Sequence, residues 1–290
     1  MCMGSREIKE PRISVVIPVY LRTFDDLTYL KRALTSLAIQ EYAPYQVIIS
    51  IDLCFNYDAM GKLLAEFSKV LKLESFENLT PKGISSNSNN GLRQVRGDLI
   101  HVLHQDDALA SPSVYHEIAE SFLSKGSRLF LLTARRLDRV YRPAFDLTAL
   151  VGNNRFGGPS GLIFVASEDL SFDPNLTMLC DIDLLYRLSQ KFGSPEIVPS
   201  ISISYGVSEN QAQNRIGIQE FEREVRFLLS KTGVKPIRVF FCMLHLRDVS
   251  QFFAISQILA MVEEQRHMRL FFRLNHLAFR TMLFVRRATT

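Results

Sequence analysis

The stretch Gly97-Asp98-Leu99-Ile100-His101-Val102-Leu103-His104-Gln105-Asp106-Asp107-Ala108-Leu109 decides how the chain is read. An apolar run of strand-type residues stops on two adjacent carboxylates. A buried strand that ends on acids aims them at whatever lies beyond its end, and in an open α/β sheet that is where ligands bind. Two acids there suit a hard divalent ion such as Mg²⁺, which takes oxygen ligands and also grips phosphate. The plainer reading is a strand followed by a helix with acidic caps, because Ser111-Pro112 is a fitting helix opening.

Working outward, Arg12 to Tyr20 is a short β-branched run broken by Pro18, the pattern of a buried parallel strand. Apolar residues at 27, 30, 34 and 37 predict a helix over Leu27 to Ile39. Gln46 to Asp52 reads as a second buried strand that again stops on an acid, and Asp58 to Leu71 as the next amphipathic helix. Strand alternating with helix predicts a parallel sheet with crossover helices. A helix from about Ser88 to Arg96, closed by Gly97, follows a polar loop. Downstream, Ser113 to Ser124 predicts a helix, Arg128 to Thr133 a strand, residues 134–160 a long functional loop and Gly161 to Ala166 a strand. A helix opens at Asp181 with acids in its first turn, Ile197 to Ser204 reads as a strand, and Gln219 to Lys231 as a helix closed by Gly233 and Pro236.

Composition sets bounds on the function. The 290 residues are 47% hydrophobic and 22% charged, ordinary for a globular chain with a sizeable core. The net charge of +4 is uneven: residues 235–290 hold nine Lys/Arg against three Asp/Glu, so the rest is slightly acidic. That excludes a general nucleic-acid-binding signature and marks a basic C-terminal end. Cys2, Cys54, Cys180 and Cys242 share no metal-ligand spacing and indicate reduced thiols. The N-terminus has no apolar signal core, and no run of 18 uncharged apolar residues occurs. A cytoplasmic chain, peripheral at most to the inner face of a membrane, is the expectation.

Asp52, Asp106, Asp107 and Asp181 each fall at a strand end or helix start. In their order and spacing the sequence resembles the family 2 glycosyltransferases of the GT-A fold. The resemblance runs over about residues 11–215 and rests on six stretches: Ile13 to Tyr20, Val47 to Asp52, Asn89-Asn90-Gly91-Leu92 through Asp98, Leu103 to Asp107, Gly158-Pro159-Ser160-Gly161, and Cys180 to Leu188. It implies a mixed, Rossmann-like α/β sheet flanked by helices with a C-terminal helical extension. A glycosyltransferase domain would span 11–235, with a nucleotide half over 11–110 and an acceptor half over 111–235. A basic amphipathic helical extension would occupy 236–290.

The resemblance also implies roles. Pro18, Tyr20, Asp52, Asn89 and Asp106 would contact a nucleoside-diphosphate sugar, with Asp52 at the nucleobase and Asp106 at the ribose or sugar. Asp107 would reach a Mg²⁺ or Mn²⁺ ion at the diphosphate. Asp181 would be the general base that deprotonates an acceptor hydroxyl, with inversion at the sugar. The acceptor would be a glycan or lipid-linked molecule in the assembly of a surface polysaccharide or another glycan. The chain departs from the family pattern at Leu53, Cys54-Phe55, Ser88 and His104. His104 reads either as a donor of hydrogen bonds to phosphate or as a strand-end histidine bonded to a carbonyl. Asp183 either orients the base or the acceptor, or only complements the helix dipole. Arg135, Arg136, Arg139 and Arg142 form either a phosphate-holding group or a solvated basic face.

Two rival functions stand beside this one. A sugar-nucleotide-binding module without catalysis would accommodate the departures. A nucleotidyltransferase would need a glycine-rich phosphate loop after the first strand, and Val19-Tyr20-Leu21-Arg22-Thr23 has no glycine. In the tail, Arg266, Arg269, Arg273, Arg280 and Arg287 fall on one helical stripe, with Leu270, Phe271, Leu274, Leu277 and Phe284 around it. Residues 263–287 are thus a candidate membrane-surface helix or a docking helix. Val249 to Val262 is apolar but only 14 residues long, too short to span comfortably.

Overall fold

The computed structural model describes residues 10–79, 81–206, 217–243, 249–263 and 265–289. The N-terminal stretch with Cys2 and residues 207–215 of the family resemblance lie outside them. So do the side chains of Arg280, Phe284 and Arg287. The chain divides into two compact units that alternate in sequence. One comprises Met1–Pro143, Phe156–Pro174 and Leu184–Glu209; the other comprises Ala144–Arg155, Asn175–Asp183 and Asn210–Thr290.

The first unit holds the sheet. Its elements in order are β1 (Ile13–Leu21), α1 (Phe24–Ala38), β2 (Gln46–Cys54), α2 (Tyr57–Phe67), β3 (Leu73–Glu77), α3 (Ile84–Leu92), β4 (Leu99–Val102), β5 (Ala108–Leu109), α4 (Val114–Lys125), β6 (Leu129–Arg136), β7 (Arg139–Tyr141), β8 (Leu162–Val165) and β9 (Glu196–Ser204). The sheet order is β3-β2-β1-β4-β8-β6-β9-β5, with β7 paired to β6. β1, β2, β3 and β4 run parallel, β8 is antiparallel to β4 and β6, and β6 runs parallel to β9. The sheet is therefore mixed, and strand order reverses between β1 and β4. The crevice outside the carboxyl ends of those two strands is the place such a sheet offers a ligand.

β1 is buried at every position except Tyr20, so it reads as a continuous apolar run rather than an alternating one. Leu30, Leu34 and Leu37 of α1 and Met60, Leu64 and Phe67 of α2 close the core against it. Pro18 lacks an N–H. Its neighbour two residues back, Val16, accepts from Leu103 just past β4. Pro18 therefore faces the side of the ladder that β4 has already left, where no donor is needed.

α3 differs from the sequence-based expectation. It begins at Ile84, not Ser88, and ends with its C-cap at Arg93. The segment Ile84-Ser85-Ser86-Asn87-Ser88-Asn89 is a poor helix former, because its short polar side chains compete for backbone hydrogen bonds. Tertiary bonds settle it: Ser50 Oγ donates to the Asn87 side chain at 2.7 Å, Asn87 Nδ2 to Val19 O at 3.1 Å, and Asn90 Nδ2 to Ser50 Oγ at 3.0 Å. Gly97 is not the helix cap. A Cβ there would sit 2.5 Å from the Arg12 carbonyl, so glycine is required by the close approach of the chain entering β4. The expected long loop over 134–160 holds β7 and a 3-10 turn at Leu147–Val151.

In the second unit, α6 (Ile218–Thr232) ends at Gly233 in the left-handed conformation, φ 67°. α7 (Pro236–Met243), α8 (Val249–Val262) and α9 (Arg266–Thr289) follow. Phe240 of α7 packs against Phe271 and Phe272 of α9 at ring-centroid distances of 5.0 and 5.6 Å. α5 (Cys180–Phe192) starts in this unit and continues into the first. Among the described residues, no helix is long and apolar enough to cross a membrane.

Candidate active site

His104, Asp106 and Asp107 lie in the turn between β4 and β5. Each offers a ligand atom within 4.8 Å of those of the other two. β5 pairs with β9, Ala108 opposite Ser204, so the turn is held at both ends. Gly206 follows β9, and a Cβ there would fall 2.0 Å from the Asp106 carbonyl. Only glycine lets the chain pass so close that its N–H donates to Asp107 Oδ1 at 2.8 Å. Ser160 Oγ accepts from the His104 N–H at 2.9 Å and donates to Asp107 Oδ2 at 2.5 Å. Arg32 of α1 donates to the Asp106 carbonyl.

Burial, then the neighbouring Asp106 charge, raises the Asp107 carboxyl to about 7, while Ser160 and the Gly206 N–H oppose the rise. Burial pushes the His104 imidazole down, with Asp106 pulling the other way. His104 Nε2 is buried and has no hydrogen-bond partner among the described residues. An orphaned imidazole nitrogen beside two carboxylates fits a divalent cation: it supplies the missing partner, and an ion's charge reverses the cost of ionising Asp107. Of the two readings of His104, the bond to a carbonyl is found instead at the histidine inside β4. His101 is buried between Tyr115 Oη at 2.8 Å and the Ser160 carbonyl at 2.9 Å. The carbonyl can only accept, so Nε2 carries the proton, and burial lowers this imidazole to about 4.

Gln105 ties the acid turn to the end of β1. It accepts from the Tyr20 N–H at 2.7 Å and donates to the Tyr20 carbonyl at 3.1 Å. Tyr20 is 43% exposed, and its ring carries the Arg22 guanidinium 5.5 Å from its centroid. At the end of β2, Asp52 is buried. It accepts from Asn78 Nδ2 at 2.8 Å and from the Gly83 N–H at 3.0 Å, with Lys82 Nζ 3.7 Å away. Among the described residues each Asp52 oxygen accepts one hydrogen bond, and Oδ1 also faces the Lys82 ammonium, so Oδ2 keeps a lone pair for a further donor. The Asn89 amide is paired with the backbone of Phe172, donating and accepting at 2.8 Å, so its side chain braces that loop.

Asp181 lies in the second unit, in the first turn of α5, and is 7% exposed. Its Oδ1 accepts from the Ile182 N–H at 2.8 Å, and Asn154 Nδ2 lies 3.4 Å from Oδ2. Burial raises this carboxyl to about 7; nearby backbone amides oppose the rise and the Glu224 charge adds to it. Glu224, fully buried on α6, accepts from the backbone N–H groups of Thr177, Met178 and Leu179 at 2.8, 2.9 and 3.0 Å. It neutralises donors ahead of the helix that carries Asp181. Asp183 forms a 2.8 Å ion pair with Lys231, linking α5 to α6. The four arginines from Arg135 to Arg142 fall on the exposed β6–β7 hairpin or just beyond it.

Gly206, Arg32, Asn154 and Glu224 escape a sequence reading because each acts through contacts 27 to 99 residues away. Ser160 carried a signal, the Gly-Pro-Ser-Gly turn. A mixed sheet in this order, with a cation-fitting acid turn beside its switch point, is the GT-A glycosyltransferase fold. Residues 14–135 match the family model described as Glycosyl transferase family 2, which covers Asp52 and the His104–Asp107 turn. Among solved structures, that of S. aureus TarS 1-349 in complex with UDP-GlcNAc superposes with TM-score 0.61 at 14% identity, covering 86% of this chain and 72% of that one. The crystal structure of S. aureus TarS gives 0.59 at 14% identity over 86% of this chain and 43% of that one. The mannosyltransferase PcManGT from Pyrobaculum calidifontis, in complex with GDP-Man and Mn²⁺, gives 0.59 at 13% identity over 95% and 84%. No curated protein matches the chain.

Proposed function

We propose that this chain is a glycosyltransferase that moves a sugar from a nucleoside diphosphate to an acceptor hydroxyl with inversion. The observation that carries the reading is the His104–Asp106–Asp107 cluster, whose imidazole Nε2 has no partner among the described residues, placed beside the β1/β4 switch point. In this reading His104 and the two carboxylates hold Mg²⁺ or Mn²⁺, which when bound supplies Lewis-acid neutralisation of the diphosphate leaving group. Asp52 accepts from the nucleobase through its remaining lone pair. Tyr20 offers a ring face at the end of β1, next to Pro18, and Asp106 faces the ribose or sugar. Asn89 contributes by bracing the Phe172 loop. Asp181, raised to about 7, takes the acceptor proton as the new bond forms, the protonation range in which a carboxylate works best as a base.

The acceptor is a glycan or lipid-linked hydroxyl in surface polysaccharide assembly, and α9 rests on the membrane surface. The membrane contact is supported by the row of leucines on α9 that are more than half exposed, Leu270, Leu274 and Leu277. Thermal shift with nucleoside diphosphates tests the donor half. One nucleotide should raise the melting temperature more than the others, and only with Mn²⁺ or Mg²⁺ present. Equal response to all of them, or none, contradicts it.

A further inference from the structure

α9 carries three basic residues, each followed directly by a leucine: Arg269-Leu270, Arg273-Leu274 and His276-Leu277. One residue is about 100° of helix, so the basic groups and the leucines form two neighbouring stripes. The basic stripe faces a cavity. Arg269, Arg273 and His276 line about 320 Å³ together with Gln257 and Met261 of α8 and Glu222 of α6. The leucine stripe faces solvent, at 56%, 59% and 57% exposure.

The acid in the cavity wall is already neutralised. Glu222 accepts from Arg226 at 3.1 and 2.7 Å, and Arg226 also donates to the carbonyls that end α8, 2.8 Å from Val262 O. Arg269 is oriented by its Nε, which donates to Glu263 O at 2.7 Å; among the described residues the two terminal nitrogens of the fork are left for another acceptor. Neither Arg269 nor Arg273 has a carboxylate partner among the described residues. Two uncompensated guanidinium forks in one recess match a phosphate, which they bond in pairs. A leucine stripe alongside matches the acyl boundary of a bilayer.

We infer that the α6–α8–α9 cavity binds the phosphate of an anionic lipid, with Arg269 and Arg273 as its donors and Leu270, Leu274 and Leu277 seated in the acyl boundary. This rests on the membrane-surface reading of α9 and not on the catalytic reading. Charge attraction alone draws a basic helix to any anionic surface, whereas a site discriminates head groups.

The test is co-sedimentation of the full chain with phosphatidylcholine vesicles carrying phosphatidic acid or phosphatidylglycerol at matched surface charge. The expected result is tighter binding to phosphatidic acid, whose terminal phosphate is open to both forks. Arg269→Gln with Arg273→Gln should weaken it about fivefold per arginine and abolish the preference. Arg269→Lys with Arg273→Lys should keep the general attraction and still lose the preference, which separates a fork-shaped site from bulk charge. Leu270→Ser with Leu274→Ser should weaken binding to both lipids alike. Binding without head-group preference, or a preference that survives the lysine pair, overturns the cavity site and leaves the membrane reading standing. No binding to any vesicle ends both. Stabilisation by soluble glycerol 3-phosphate, without vesicle binding, would assign the site to a free phosphate and overturn the lipid.

Discussion

Asp181 is a carboxylate whose surroundings keep its proton. Its pKa stands near 7 in the folded chain against an ordinary value near 4 when unfolded. Below about pH 4 both states are protonated and Asp181 is neutral to stability. Between about 4 and 7 the folded state holds a proton that the unfolded state has released, so stability falls as pH rises. Above 7 the full cost remains. Asp181→Asn lacks this step. Denaturant midpoints at pH 5 and pH 8 should show the variant gaining on the wild type by a few kcal/mol at the higher pH. Asp107 has the same sign and cancels in that difference. Parallel pH curves for the two proteins would show that Asp181 ionises freely.

Among the elements, α5 depends on α6. Three backbone donors at 177–179 converge on Glu224, and a carboxylate in that position replaces the water those groups would otherwise need. Glu224→Gln keeps the shape but removes the charge and half the acceptor capacity. It should cost about 1.5–3 kcal/mol in chemical denaturation. It should also move the Asp181 transition to lower pH, because the Glu224 charge helps raise that carboxyl. A loss of stability with no displacement of the transition would make Glu224 a brace for the backbone and nothing more.

At this level the limits of sequence reading are also plain. β1, β2 and β4 are legible because each is buried on both faces and ends on a turn residue or an acid. α3 is misplaced because its helix depends on Ser50, Val19 and Phe172, not on its own residues. β3 and β5 escape notice: Leu73–Glu77 shows no apolar run, and a two-residue strand is defined only by its partner β9. The acids at 52, 106, 107 and 181 are visible as punctuation between elements. Their partners Gly206, Ser160 and Glu224 become partners only once the chain has folded.

In the sheet-bearing unit, a parallel half-sheet with a mixed extension carries a cation-fitting turn at its switch point, and the resemblance to family 2 glycosyltransferases holds over residues 14–135. The departures at Leu53, Ser88 and His104 distinguish an active transferase from a binding module only through turnover. The decisive measurement is release of nucleoside diphosphate from a panel of nucleotide sugars with Mn²⁺, comparing wild type, Asp107→Asn and Asp181→Asn. Turnover of at least one donor is expected, reduced about 10²–10⁴-fold when the base is removed and insensitive to Mn²⁺ in Asp107→Asn. Donor binding without turnover, or turnover that survives both substitutions unchanged, would contradict a metal-assisted glycosyltransferase built on these carboxylates.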